Sequence, residues 1–168
     1  DMQEYSFIPN IGMKADEFWF EANKISVKNN MDRILAYMYL MLKTAKKKDL
    51  PITKEAFQEL GQDVVLYKGV KSWFKRINEY GATKGIIVEH YLVSSGTKEI
   101  VEGCSIIDNF KEAWACEYYF DEKTGLPVWP KLAINYTQKT QYFFRIAKGA
   151  IDIKNDESVN EKKEQRRV

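Results

Sequence analysis

Hydrophobic residues recur every three or four positions through the first sixty residues, the spacing that places them on one face of an α-helix. A helix is predicted to begin at the capping residue Asp16 and to end near residue 29. A second helix is predicted after Asp32; it is apolar almost all round, so we expect other elements on both sides of it. A third, short helix is predicted to open at the capping residue Thr53 and to end at Gly61. The first 65 residues therefore predict a helical region.

From about residue 66 the pattern changes to alternating helices and strands. A helix is predicted from Val70 to Gly81, and the apolar, β-branched run at residues 86–93 predicts a strand covered on both faces, as in a parallel sheet. Ser94-Ser95-Gly96 then predicts a turn at the end of this strand, followed by a helix over residues 97–103. This order is typical of α/β layer folds.

A second strand is predicted over residues 113–120, with turn residues at 121–125 and a returning strand from residue 126. A helix is predicted after Asn135 and is stopped by Gly149. Beyond Ile153 the residues are almost all polar or charged, which is typical of a solvated connector. The sequence predicts three regions: helices at 1–65, an α/β region at 66–150 and a polar connector at 151–168.

Composition and charge exclude several classes of protein. Hydrophobic residues make up 45% of the 168 residues, too many for a disordered chain. No apolar run reaches 18 residues, so no membrane span is predicted. The net charge of +2 is too small for binding to nucleic acid through gross charge, and Lys46-Lys47-Lys48 is explained by the C-terminus of a helix, a nucleic-acid patch being the alternative. We expect a cytoplasmic protein without a nucleic-acid or membrane partner.

Few residue types are available for metal or nucleophilic chemistry. Cys104 and Cys116 form no CxxC pair and are expected to be reduced thiols. His90 is the one histidine, so a zinc site of the usual kind is excluded. Because His90 falls inside the predicted strand, we expect a supporting role for it rather than a catalytic one.

Two short features have the chemistry to bind phosphate. Ser94, Ser95 and Gly96 follow a predicted strand and precede a helix, the place where open α/β sheets bind ligands. Lys139 lies in the first turn of a predicted helix, where its charge opposes the helix dipole and so needs a reason other than helix stability. The alternatives are an ordinary capped turn and a solvated lysine.

In this order the features resemble the haloacid dehalogenase superfamily of phosphatases. Residues 66–74 are similar to the loop and helix before the second motif of that family, and residues 86–101 are similar to the second motif, an apolar strand ending in Ser94. Residues 135–141 resemble the third motif, whose lysine would be Lys139. The chain looks closest to hydrolases related to phosphoserine phosphatase.

The resemblance implies a three-layer α/β/α Rossmann-like core, here partial at 66–150, with residues 1–65 as an inserted helical cap. It implies a Mg²⁺-dependent hydrolase of a small phosphorylated substrate, acting through an aspartyl-phosphate intermediate. The sequence is compatible with a homo-oligomer. Ser94, with Ser95 and Gly96, would bind the phosphoryl oxygens, and Lys139 would neutralise the charge of the phosphate and of the intermediate.

The sequence departs from the family in one essential respect. The nucleophile lies in an Asp-x-Asp motif, which occurs nowhere in the 168 residues, and the Gly-Asp motif that supplies magnesium ligands is absent too. We therefore expect a segment of a longer enzyme, with no metal ligands of its own, inactive alone, and with an open edge on the first predicted strand. The alternative is a non-catalytic binding or interaction module on a degenerate scaffold of this family, favoured by the ten Tyr, nine Phe and four Trp.

Overall fold

In the computed structural model, which describes residues 2–161, the chain is a mixed α/β fold, as predicted. The described part contains eight α-helices: α1 Met2–Tyr5, α2 Phe7–Asn10, α3 Ala15–Asn29, α4 Arg33–Lys47, α5 Lys54–Gly61, α6 Val70–Thr83, α7 Lys98–Glu102 and α8 Tyr136–Lys148. Its three strands are β1 Tyr91–Thr97, β2 Glu112–Phe120 and β3 Pro127–Leu132.

The chain divides into two compact units, Asp1–Ala133 and Ile134–Val168. The first contains α1–α7 and the whole sheet, and the second contains α8. The predicted boundaries at 65/66 and 150/151 stay predictions. Of the predicted connector at 151–168, residues 162–168 lie outside the described residues.

Two predicted helix starts, at Asp32 and Thr53, are confirmed by capping hydrogen bonds. The Asp32 carboxylate accepts the backbone N–H groups of Ile34 and Leu35 at 2.8 and 3.2 Å. The Thr53 hydroxyl accepts the N–H of Ala56 at the start of α5. These side chains satisfy donors that the first turn of a helix leaves unpaired, which fixes where each helix begins.

The predicted cap of α3 is wrong. This helix begins at Ala15, so Asp16 lies inside the first turn instead of preceding it, and Lys14 occupies the cap position without a side-chain hydrogen bond. Asp16 still contributes a negative charge where the helix dipole favours one. Before α3, the short helices α1 and α2 were not predicted; α2 buries Phe7 and Ile8.

Helix α4 lies in the core, as its apolar surface predicted. Seven of its residues are buried, and Met38 and Met41 are 1% and 0% exposed. The hydroxyl of Tyr118 in β2 donates to the Met38 carbonyl oxygen at 2.9 Å. The ring of Tyr118 also stacks on Phe57 of α5, with 5.8 Å between centroids. Helices α4 and α5 thus share one core with the sheet.

The three strands form one sheet in the order β1-β2-β3, with β1 parallel to β2 and β2 antiparallel to β3. The parallel pairing of the first predicted strand is confirmed, as is the hairpin that joins β2 to β3. Among the described residues β1 pairs with β2 alone, so its other edge carries no strand.

Strand β1 begins five residues later than predicted. Ile86 and Ile87, expected to be covered on both faces, are 59% and 91% exposed. The pairing explains the difference: β2 starts at Glu112, which lies opposite Tyr91, so residues 86–90 have no β2 residue beside them. An apolar run alone does not form a strand without a partner for its backbone.

Helices α5 and α7 approach each other through glycines. A Cβ atom at Gly103 would overlap the carbonyl group of Gln58, and one at Gly61 would overlap the carbonyl oxygen of Ile100. The two backbones can be this close only because neither position carries a side chain. This contact joins the predicted helical region to the predicted α/β region within one compact unit.

Candidate functional site

The centre of the candidate site is an irregular stretch in β1. Val93 pairs with Trp114 and Thr97 with Cys116, so Ser94, Ser95 and Gly96 together face the single residue between those partners. The three residues are thus a bulge inside the strand, and the predicted turn after it is wrong. Bulges re-aim side chains and are frequent beside functional sites.

The hydroxyl of Ser94 causes part of this irregularity. Its oxygen accepts the backbone N–H of Gly96 at 3.0 Å, a local bond that competes with strand pairing. A hydroxyl that accepts one hydrogen bond keeps its own proton for donation. Ser94 is half-buried, so it can present this proton to a ligand oxygen.

The carbonyl oxygen of Ser95 holds the bulge to the core. It accepts the hydroxyl of Tyr37 in α4 at 2.6 Å and the thiol of Cys116 at 3.4 Å. Burial raises the pKa of Tyr37 well above its usual value, with nearby Cys116 and Tyr118 acting in the same direction, so the hydroxyl stays protonated. Ser95 therefore contributes a fixed backbone to the site.

Gly96 is buried and a side chain there would meet Met2 of α1. Helix α7, which follows at Lys98, has five residues and its cap Thr97 makes no side-chain capping bond. So short a helix sums few peptide dipoles, so its start attracts an anion less than the start of a long helix would. Of the three predicted residues, Ser94 and Ser95 carry hydroxyl groups and both are partly exposed, whereas Gly96 contributes backbone alone.

A carboxylate that sequence reasoning missed lies next to the bulge. Glu99 is 4% exposed; one carboxylate oxygen accepts the N–H of Tyr118 at 3.4 Å, and the other has no hydrogen-bond partner among residues 2–161. Burial raises the pKa of Glu99 to about 7, against weaker opposing effects of its backbone hydrogen bonds. The signal for Glu99 in the sequence is weak, because it lies in a five-residue helix that is too short to show a periodic pattern.

A second carboxylate nearby is paired. Glu117 of β2 accepts Lys98 at 3.0 Å and Lys131 at 2.7 Å, one lysine on each oxygen. Burial opposes its ionisation, but the hydrogen bonds and charges of the two lysines outweigh burial and lower the pKa of Glu117. Hence the two neighbouring glutamates, Glu99 and Glu117, have pKa values moved in opposite directions.

Lys139 lies in the first turn of α8, as predicted. The preceding cap is strong: Asn135 accepts the N–H of Gln138, and the Gln138 side chain accepts the N–H of Asn135. The Lys139 ammonium lies 6.0 Å from the ring centre of Tyr136 and, within residues 2–161, makes no ion pair. Its charge is available for an anion.

The structure brings Ser94, Ser95 and Gly96 together as neighbours in β1 and places Lys139 in the other compact unit. His90 precedes β1, so its predicted place inside the strand is wrong. Its Nε2 lies 2.8 Å from the Asn78 side-chain oxygen, and its ring packs edge-on against Phe74 at 5.0 Å between centroids. His90 thus ties α6 to the segment before the sheet.

The described residues contain two free thiols and no cluster of metal ligands. Within residues 2–161, His, Cys, Asp and Glu side chains form no group of three or more that could hold a metal ion. Cys104 and Cys116 are free thiols, as predicted. Over the same residues, none of the helices combines the length and apolar character needed to cross a bilayer.

Comparison of this chain with models of protein families, with curated proteins and with solved structures gives no match.

Proposed function

We propose that this chain is part of a cytoplasmic phosphomonoester hydrolase of the haloacid dehalogenase type, in which Ser94 and Lys139 bind the phosphoryl group. The observation that carries the proposal is the bulge in β1. Within it, residues 94–96 leave the regular pairing with the parallel strand β2, and the Ser94 hydroxyl accepts the N–H of Gly96. Lys139 supports the proposal too, because it follows the capping box of Asn135 and Gln138 and makes no ion pair within the described residues.

In this proposal the two side chains do different work. The Ser94 hydroxyl donates a hydrogen bond to a phosphoryl oxygen, with its orientation fixed by the Gly96 N–H. The Lys139 ammonium supplies a positive charge against the negative charge of the transferring group. The nucleophilic aspartate that would accept the phosphoryl group, and the ligands of Mg²⁺, lie outside the 168 residues, since no Asp-x-Asp occurs among them.

In this proposal the chain supplies neither the nucleophile nor the magnesium-binding motif of the family, since both motifs are absent from its sequence. The contribution of the chain is then to bind and orient the phosphate. This predicts weak binding of inorganic phosphate by the chain and no turnover of a phosphate ester.

The test begins with the gene. We expect its reading frame to encode an Asp-x-Asp motif before Asp1 and a Gly-Asp motif after Val168, and the longer protein to hydrolyse p-nitrophenyl phosphate with Mg²⁺. Ser94→Ala and Lys139→Ala should each lower kcat about a hundredfold. Matched controls are Ser105→Ala and Lys71→Ala, exposed residues of the same types.

Two results would overturn the proposal. One is a longer protein whose activity is the same in Ser94→Ala and Lys139→Ala as in the two controls. The other is a 168-residue chain that hydrolyses the ester well above its Lys139→Ala variant. A reading frame without either motif would favour the non-catalytic module.

A further inference from the structure

A groove of about 1240 Å³ lies between α4 and the β2–β3 hairpin, within the unit Asp1–Ala133. Its floor includes Met38 and Tyr118, which are 1% and 2% exposed. Its volume exceeds that of most small-molecule pockets, and its lining, like theirs, is mostly apolar. None of the residues proposed above to bind phosphate lines it.

The walls expose large apolar side chains that the fold itself does not cover. Trp129 is 70% exposed, Val128 51% and Tyr39 50%, and all three line the groove. Clusters of this kind on a folded protein mark places where something apolar binds.

The charges at the groove come from one end of α4 and the loop after it. Lys43 and Lys46 lie one turn apart in the last part of the helix, and Asp49 follows. In the described residues neither lysine makes an ion pair, and the Lys43 ammonium rests 6.0 Å from the Tyr39 ring centre. Two unpaired cations against one anion favour a ligand with a negative group.

The strand beside the groove is unsuited to binding a peptide. Pro127 and Pro130 both line the groove, and neither has a backbone N–H. Strand addition depends on such donors, so this stretch of β3 offers few of them to an extended peptide. An alkyl chain has no such requirement.

We infer that this groove binds a single-chain amphiphile, a long alkyl chain with a carboxylate head. The chain lies against Leu35, Leu42, Val128 and Trp129, and the carboxylate meets Lys43 and Lys46. The inference does not depend on the proposed phosphatase function, since the groove and the Ser94 bulge share no residue.

The experiment is a calorimetric titration of the 168-residue chain with dodecanoate and dodecyltrimethylammonium, each below its micelle concentration, and with dodecanol below its solubility limit. We expect dodecanoate to bind about tenfold more tightly than the cation. The double variant Lys43→Met/Lys46→Met should weaken dodecanoate binding about tenfold and leave dodecanol binding unchanged. The control Lys71→Met should change neither.

A second readout locates the ligand. A brominated dodecanoate should quench tryptophan fluorescence in the wild type, and Trp129→Phe should remove most of this quenching because the other three tryptophans lie outside the lining. Both variants change exposed side chains, so folding should persist. Equal affinity for anion and cation, quenching unchanged in Trp129→Phe, or no binding of dodecanoate would each overturn the inference.

Discussion

Helices α4 and α6 have 15 and 14 residues and both carry apolar residues at helical spacing, but their surroundings differ. Seven residues of α4 are buried, whereas Phe74 and Gly81 are the buried residues of α6. Trp73 and Tyr80 of α6 remain 48% and 61% exposed. Amphipathic spacing therefore identifies the face that could be buried, and the partner decides whether it is.

The partners explain the contrast. Helix α4 receives a hydrogen bond from Tyr118 of β2 and gives one from Tyr37 to β1, so it is tied to two strands. Helix α6 is held by edge-on contacts of Phe74 with the rings of His90 and Phe110, at 5.0 and 5.2 Å, and by the contact of Asn78 with His90. We expect α4 to contribute more to stability than α6.

The largest effect is expected from Met41→Ala in α4. Met41 is 0% exposed, so its truncation leaves a cavity and should lower the free energy of unfolding by about 2–5 kcal/mol. The matched change in α6, Tyr80→Ala, should cost about 0.5 kcal/mol or less. Urea denaturation followed by circular dichroism measures both. Equal losses would contradict the comparison.

Glu99→Gln tests whether the buried carboxyl of Glu99 is protonated in the folded state. With an unfolded pKa near 4.5 and a folded pKa of about 7, the folded state holds a proton that the unfolded state has lost. Wild-type stability should thus fall as pH rises from about 4.5 to 7, by about 3 kcal/mol in total. Glu99→Gln should remove this slope and be the more stable protein above pH 7.

The matched control is Glu59→Gln, an exposed glutamate in the middle of α5. Urea unfolding at pH 5, 6, 7 and 8 gives the slope for each protein. A wild-type stability that is flat over this range, or a slope that Glu99→Gln retains, would show that the carboxyl is not held in its neutral form.

Tyr118→Phe isolates the hydrogen bond between β2 and α4. Removing the hydroxyl leaves the packing of the ring in place and should cost about 1–2 kcal/mol of unfolding free energy. The neighbouring Tyr119 is 51% exposed, so Tyr119→Phe is the control and should change stability by less than about 0.5 kcal/mol. A Tyr118→Phe variant as stable as this control would mean that the hydrogen bond does not hold α4 to the sheet.

The smallest effect is expected from Asn78→Ala in α6. Its side chain contacts His90 in an exposed position, and such hydrogen bonds contribute about 0.5 kcal/mol. The same denaturation measurement applies, with Asn23→Ala in α3 as an exposed control. A loss above that of Tyr118→Phe would reverse the ranking of the two helices.

Local signals predicted much of the fold. The caps Asp32, Thr53 and Asn135 mark helix starts because a side-chain oxygen and the first-turn N–H groups are close in sequence. The parallel pairing of β1 and the β2–β3 hairpin were also predicted. The late start of β1 was not, because it depends on where β2 begins, and Glu112 is far from residues 86–90 in sequence.

The candidate site was predicted in part. Ser94 and Lys139 carry the right chemistry and were found from their places relative to a strand and a helix. The bulge was missed because it depends on Tyr37, 58 residues away, which binds the Ser95 carbonyl. Glu99 was missed because its burial comes from neighbouring elements and not from a pattern in α7.

The glycine contact between α5 and α7 has a consequence for motion. With Gly61 and Gly103 against neighbouring backbone, and with α4 hydrogen-bonded to two strands, these helices and the sheet are expected to move as one rigid body. Lifting α4 away from β1 and β2 would break the hydrogen bonds of Tyr37 and Tyr118 and expose the core. Such a step belongs to local unfolding, which is slower than the nanosecond rotation of exposed side chains.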